Sequence, residues 1–175
     1  LQKWSLKKAE KMNIRTATLN DAAQIAEIYN HYIKTSHATF ELETIEAAEM
    51  ENRISETFQK NYPFFVCEDD GRIAGYAYGR QFRPRRAYRH SIEVSVYIKH
   101  DAQAKGIGTR LYQKLFPEIL NKDFHAIIAG VSLPNDASIR LHEKFGFEKV
   151  AHFREVGFKF GRWIDVGYWE LLNKK

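Results

Sequence analysis

The chain has 175 residues, 44% of them hydrophobic and 28% charged, with a formal net charge of +5. That is the length of one domain with ample apolar material for a core, and nothing in the composition reads as disordered. No apolar run approaches the roughly 18 residues of a membrane span, and no charged-then-apolar secretory leader is visible, so no membrane partner is expected. The single cysteine, Cys67, cannot form an internal disulfide. A reducing, cytoplasmic setting is therefore expected. Cys67 lies in an apolar run, "PFFVCEDDG", and reads as a buried structural thiol rather than a nucleophile. Four lysines and one glutamate fall in the first eleven residues. Met12, followed by "NIRTAT", reads as the domain's natural start. Residues 1–11 then form an extension or an expression remnant, and 12–175 the domain. Basicity placed this way is poor ground for a nucleic-acid partner, and none is expected.

"NIRTATL" reads as a first strand. Asn20 can cap a following helix that aligns Ala22, Ile25, Tyr29 and Tyr32 or Ile33 on one face. "HATFELETI" reads as a loop, and Thr44 precedes a second helix, "IEAAEMENRISETF", with Pro63 ending the region. "PFFVCEDDGRIAGYAYGR" reads as a hairpin turning at Asp70-Gly71. "RHSIEVSVYIKHD" is a further strand, and "GIGTRLYQKLFPEILNK" a helix that Pro117 should kink or shorten. "HAIIAGVSL" is a strand, and "PNDASIRLHEKFGF" a short helix closed by Gly146. Glu148 to Leu172 reads as an aromatic-rich hairpin turning near Gly161. Strand, helix, strand around Gly106 calls for neighbouring parallel strands, whereas the early hairpin is antiparallel. The sum is one α/β domain, a mixed sheet flanked by helices.

"QAKGIG", Gln103 to Gly108, sits between a predicted strand and a predicted helix. Helix N-termini expose unpaired N–H groups, and glycines let such backbone approach an anion. No Gly-Lys-Ser/Thr follows, so it is not a P-loop; Leu111 stands where a dinucleotide fingerprint needs its third glycine. A phosphate cradle and an ordinary strand-to-helix turn both fit.

Four further groups carry possible chemistry. Strand alternation in "SIEVSVYI" puts Glu93, Ser95 and Tyr97 opposite Ile92, Val94, Val96 and Ile98. Glu93 is either a general base or an ordinary ion-paired carboxylate. His142 shares an inward helical face with Ser138, Leu141 and Phe145. "RQFRPRRAYRH" collects Arg80, Arg83, Arg85, Arg86 and Arg89 with Phe82 and Tyr88. That run is a solvated loop, a nucleic-acid contact or a carboxylate anchor, since arginine pairs bidentately with carboxylates. The last hairpin holds Phe158, Phe160, Trp163, Tyr168 and Trp169, more aromatics than one face buries. They read as core packing or as a partner surface. The seven histidines show no metal-ligand spacing, and no Gly-x-Ser-x-Gly elbow is present.

Gln103-Ala104-Lys105-Gly106-Ile107-Gly108 resembles the Q/R-x-x-G-x-G/A motif of the GNAT superfamily of N-acetyltransferases, and the element order from about Asn13 to Leu172 is similar to that family's. "AYRHSIEVSVYI", "LPNDASIRLHEKFGF" and "GRWIDVGYWE" together resemble its phosphinothricin and methionine sulfoximine acetyltransferase branch. The resemblance implies a single-domain, mostly antiparallel mixed sheet flanked by helices. It implies acetyl-CoA as donor, no metal, and direct transfer to the α-amine of a small carboxylate-bearing acceptor. It places the coenzyme pyrophosphate on the loop from Gln103 through Thr109, and the pantetheine arm on backbone groups of Val96, Tyr97 and Ile98. Asn135 and Ser138 match coenzyme-contacting positions, although Asn135 also reads as a helix cap. Glu93 matches the general base. His142 stands where many relatives carry tyrosine, as proton donor to the leaving thiolate or as a positioning group. Arg85 and Tyr88, then Arg80 and Arg83, match the substrate side, and so does Phe40, which also reads as a loop anchor. A homodimer is implied, its second chain walling the substrate site. Two other readings stay open: an acetyltransferase for protein or peptide amines, and a coenzyme- or nucleic-acid-binding module without turnover.

Overall fold

The computed structural model describes residues 12–174; the extension expected over residues 1–11 lies outside them. Seven strands form one sheet in the order β1-β2-β3-β4-β5-β7-β6. They are β1 (Asn13–Thr16), β2 (Phe64–Asp69), β3 (Arg72–Gln81), β4 (Ser91–Ile98), β5 (Ala126–Ser132), β6 (Glu148–Lys159) and β7 (Arg162–Leu172). The helices are α1 (Ala22–Thr35), α2 (Ala47–Gln59), α3 (Ile107–Leu120) and α4 (Asp136–Lys144). Every neighbouring pair is antiparallel except β4 and β5, which α3 connects. The expected α/β class and mixed, mostly antiparallel sheet are what the chain forms.

Two hydrophobic layers cover the sheet. On one face α3 packs Ile107, Leu111, Leu115 and Ile119 against Ile92, Val94, Ile127 and Ala129. On the other, α1 and α2 bring Ile25, Ile33, Met50 and Ile54 against Phe64, Val66 and Tyr76. The alternation read along β4 holds: Ile92 and Val94 face α3, and Tyr97 packs with the α1 layer. Cys67 is buried and free, and burial raises its thiol pKa. Both hairpins turn where expected. Asp70 and Gly71 have φ of 48° and 78°, Phe160 and Gly161 of 53° and 71°, the paired left-handed residues of a type I′ turn. Among the described residues no helix is long and apolar enough to cross a membrane.

The structure differs from expectation at three element boundaries. Asn20 does not cap α1. A 3-10 turn over Leu19–Asp21 comes first, and Asp21 is the organising group. Its carboxylate accepts from the Thr18 N–H at 2.7 Å and from both Arg15 Nη atoms at 2.8 Å. α2 begins at Ala47 rather than after Thr44. Ile45 is held out of the helix because Asn30 of α1 accepts its N–H and donates to its carbonyl. Pro117 does not shorten α3, which runs on to Leu120.

Asp21 supports a prediction about acid stability. Arg15's hydrogen bonds, aided by the Thr18 N–H, hold the Asp21 carboxyl below its ordinary value. A carboxyl that titrates lower when folded stabilises fully above its unfolded pKa of about 3.9 and loses that contribution as pH falls through the folded value. Asp21→Asn should therefore cost about 1–3 kcal/mol near pH 7, with the gap to wild type closing in acid. Urea midpoints at neutral and acid pH check this.

Candidate active site

The site begins where the sheet comes apart. β4 pairs with β5 only over Ser91–Glu93 against Ala126–Ile128. Beyond Glu93 the two strands diverge, although β4 continues to Ile98 and β5 to Ser132. The backbone of residues 94–98 thus lacks a strand partner on its β5 side, where only the Ile98 carbonyl is engaged, by the Tyr32 hydroxyl at 2.6 Å. The Lys99 N–H bonds to Ala74 of β3. By the two-residue alternation of an antiparallel pair, Val96 and Ile98 turn their backbone groups the other way, into the gap.

The gap is a cleft of about 740 Å³. Val94–Ile98 form one wall, Gly130–Ser132 and Pro134 another. Gln103, Ala104 and Gly106–Thr109 line one end, with Asn135, Ser138, Arg140, Leu141, His142 and Lys144 above them. All the residues expected to hold a coenzyme therefore border one cleft, except Lys105, which is exposed beside it.

The glycine loop is built for an anion. Ala104 and Gly106 both have positive φ, 63° and 73°. The first intrahelical bond of α3 runs from the Arg110 N–H to the Gly106 carbonyl, and no side chain caps the helix. The N–H groups of Ile107, Gly108 and Thr109 thus remain unpaired at the positive end of the helix dipole, with no acidic residue in the first turn. Lys144 donates to the Thr109 hydroxyl at 3.4 Å, adding a cation from α4. The two glycines serve different ends. Gly106 meets nothing within 4 Å of an added Cβ, so its conformation is what needs glycine. A Cβ at Gly108 would stand 3.0 Å from Leu141, so that glycine lets α4 pack close to α3.

Asn135 caps α4, accepting the Ser138 N–H at 3.2 Å, while still bordering the cleft. His142 is 3% exposed. Its Nδ1 lies 2.7 Å from the Ser138 carbonyl, which only accepts, so Nδ1 carries the proton. Nε2 then accepts from the Tyr112 hydroxyl at 2.9 Å. Burial holds the imidazole below its usual pKa, favouring this neutral form. Both nitrogens are committed, so the geometry favours positioning over proton donation, the other role the sequence left open. His142→Phe should leave the position of the pH–rate profile unchanged. It should cost about 1–3 kcal/mol of stability, because Tyr112 and Ser138 lose a buried partner. Rate measurements across pH, paired with denaturant unfolding, test both parts.

Glu93 stands at the fork of β4 and β5. Its side chain is 15% exposed. Oε2 accepts from Arg80 Nε at 3.1 Å, and Arg80 Nη2 lies 3.1 Å away. The two residues are direct cross-strand partners of β3 and β4. Oε1 makes no hydrogen bond and faces Gly130 of β5, where an added Cβ would lie 3.6 Å from it.

The remaining expected substrate residues are dispersed. Arg83 lies over the Phe82 ring and, with Arg80, borders a second cavity of about 440 Å³ floored by Phe64, Tyr76 and Tyr78. Arg85 and Tyr88 sit at an exposed 3-10 turn in the β3–β4 connection, outside both cavities. Phe40 is 40% exposed, and its ring lies where a side chain at Gly157 of β6 would be. Lys159 of the same strand is buried, and its ammonium donates to the carbonyls of Ser36 and Thr39 at 2.8 Å each. Together they hold the Phe40 loop against the last hairpin.

Several cleft residues escaped sequence reasoning. Tyr32 donates to the Ile98 carbonyl at 2.6 Å. Arg140 and Lys144, four apart on α4, add charge beside the glycine loop. Their spacing was readable as one helical face, but not which ligand it faced.

A split sheet and an uncapped glycine-initiated helix leave backbone donors free along one cleft, an arrangement that suits an extended, anionic ligand. The chain belongs to the GNAT acetyltransferase family: the profile of the acetyltransferase (GNAT) domain matches residues 14–167. It is an acetyl-CoA-using N-acetyltransferase. Its sequence is 38% identical to a phosphinothricin N-acetyltransferase of Streptomyces viridochromogenes over 91% of this chain and 86% of that protein. It is 37% identical to an L-methionine sulfoximine/L-methionine sulfone acetyltransferase of Salmonella typhimurium, over 91% and 94%. A phosphinothricin acetyltransferase from Sinorhizobium meliloti, solved in complex with acetyl-CoA, superposes with a TM-score of 0.89 at 35% identity, covering 92% of this chain and 88% of that one. The cleft's unpaired N–H groups and cations suit a pyrophosphate-bearing coenzyme.

Proposed function

We propose that this enzyme acetylates the α-amine of a small, carboxylate-bearing amino-acid-like acceptor, by direct attack within a ternary complex. Phosphinothricin and methionine sulfoximine are the leading acceptors, as the names of the relatives at 37–38% identity support. The observation that carries the mechanism is the position of Glu93 at the fork, with one carboxylate oxygen unbonded beside Gly130. Acetyl-CoA, when bound, supplies the acetyl group as a thioester. Glu93 takes a proton from the incoming ammonium, directly or through water, and frees the nitrogen lone pair. Backbone N–H groups of β4 at the gap polarise the thioester carbonyl as the C–N bond forms. The C–S bond then breaks, the nitrogen releases its second proton to solvent, and the thiolate takes one proton from solvent, since His142 has none to spare.

The pyrophosphate is held by the backbone from Gly106 to Thr109, with Lys105, Arg140 and Lys144 supplying charge. Gln103, Ala104, Val96, Tyr97, Ile98, Asn135 and Ser138 line its path. The acceptor lies on the α1 side, between Phe40, Arg80 and the arginine loop. Arg85 and Tyr88 reach it only if that loop folds back or a second chain presses it down. A homodimer meets this need. Phe158, Phe160 and Trp163 are more than half exposed, as are Phe153 and Val156, and the Phe158 and Trp163 rings pack with centroids 4.9 Å apart. A cytoplasmic setting and a role in toxin resistance fit such an acceptor, and no nucleic-acid partner is part of the reading. Thiol release from acetyl-CoA, measured against amino acids, toxin analogues and peptides, tests it. Activity confined to small amino acids is expected; a preference for peptides would overturn it.

A further inference from the structure

We infer that His37 carries the amine's second proton to the departing thiolate. This rests on the reading of donor, acceptor and Glu93 given above, and it gives a side chain the exchange otherwise left to solvent. Glu93 frees the amine's lone pair by taking one proton. As the C–N bond forms, the nitrogen becomes cationic and must lose another. The sulfur needs one as the C–S bond breaks. At that moment nitrogen and sulfur are bonded to the same carbon, so one base beside that carbon serves both. The imidazole Nε2 takes the proton from nitrogen, becomes an imidazolium, and returns to neutral by protonating sulfur. The proton held by Glu93 leaves to solvent.

Two imidazoles line the coenzyme cleft, His37 and His142. His142 has both nitrogens committed. His37 has one: its Nδ1 lies 3.1 Å from the Ser132 hydroxyl, and Nε2 has no partner among the described residues. Ile127, Ala129 and Val131 of β5 pack in the α3 layer, so alternation turns Ser132 to the opposite face, the one that carries Glu93. His37 therefore stands on the side of the base. Its backbone is fixed, because the buried Lys159 ammonium donates to the carbonyls of Ser36 and Thr39 on either side of it. In the tautomer this role needs, Nδ1–H donates to Ser132 Oγ, and the same bond persists in the imidazolium. Burial first, then the positive charges of Arg162 and Lys159, hold the ring below its usual pKa. It is thus a neutral base at pH 7. Its imidazolium is a stronger acid than a thiol of pKa about 8.5, so the second transfer runs downhill.

Single-turnover thiol release from acetyl-CoA, with saturating L-methionine sulfone as acceptor, tests the role. His37→Gln should slow it at least about tenfold, with acetyl-CoA affinity unchanged. His37→Ala should lose as much, and added imidazole should restore the rate severalfold. Across methyl- and halogen-substituted imidazoles of similar size, the restored rate should follow the pKa of the additive. A His37→Gln enzyme as fast as wild type would overturn the inference. So would a loss seen only as a raised KM for the acceptor, or a rescue that is absent or indifferent to the additive's pKa. Those results describe a ring that merely shapes the acceptor site. Acetyl-CoA binding by calorimetry reports that each variant is folded; should His37→Ala fail to fold, His37→Gln decides alone, by rate against KM. Wild type inactive on L-methionine sulfone would instead remove the acceptor reading, and this inference with it.

Discussion

Glu93→Gln should lower kcat by roughly 10²–10⁴-fold, the usual worth of a positioned general base. Affinity for acetyl-CoA should barely change. The reasoning is geometric. Glu93 does not line the coenzyme cleft, whose walls are Val94–Ile98, Gly130–Ser132 and the two helix ends. It sits at the apex, where β4 and β5 cease to pair. Glutamine matches the carboxylate in size and still offers Arg80 an oxygen, so packing is preserved while proton-accepting power is lost. Single-turnover rates at saturating acceptor, with calorimetric coenzyme binding, separate the two effects. A variant as fast as wild type at its optimal pH would remove Glu93 from the base role. Weakened coenzyme binding with normal turnover would assign it to the cleft instead.

Trp169→Ala should be the most destabilising single change, about 3–5 kcal/mol, through the lost burial and the cavity it leaves. Trp169 is 1% exposed, pairs across the sheet with Ala129 of β5, and donates from Nε1 to Glu143 of α4 at 3.3 Å. Its ring fills the space that any side chain at Gly167 would need. The indole thus ties α4 to the sheet. Because α4 carries Asn135's cap, Ser138 and His142, loosening it should weaken coenzyme binding as well. For a chain of this size the melting temperature should fall by roughly 6–20 °C. Calorimetric melting checks the prediction, and a loss below about 1 kcal/mol would show that neighbouring side chains close the gap.

What was legible in the sequence follows from how local each signal is. Strand alternation fixed the facing of Ile92, Glu93, Val94 and Tyr97 without tertiary information, since the period of a strand is two. Both type I′ turns and the Gly146 closure of α4 were readable because positive φ selects so few residues. The glycine loop was readable as a motif, but the separate tasks of Gly106 and Gly108 were not, since one depends on φ and the other on Leu141, 33 positions away. The Asn20 cap and the start of α2 directly after Thr44 were misread for a similar reason. Asp21 answers to Arg15 and Thr18, and Ile45 to Asn30, so contacts from preceding segments override local propensity. The Arg80–Glu93 pair requires the register across an irregular connection, which no pattern supplies. The proton on His142 required knowing that both of its nitrogens meet partners from different turns and helices.

The unpaired stretch of β4 has a consequence beyond chemistry. A sheet that stops bonding halfway is an unfinished ladder, and in the binding mode proposed above a pantetheine arm laid along Val96 would extend it in place of protein. The donor is then a structural member of the fold while it is bound. Its binding adds RT ln(1 + [L]/Kd) to the free energy of unfolding. The enzyme's resistance to unfolding therefore rises with the concentration of the very metabolite it consumes.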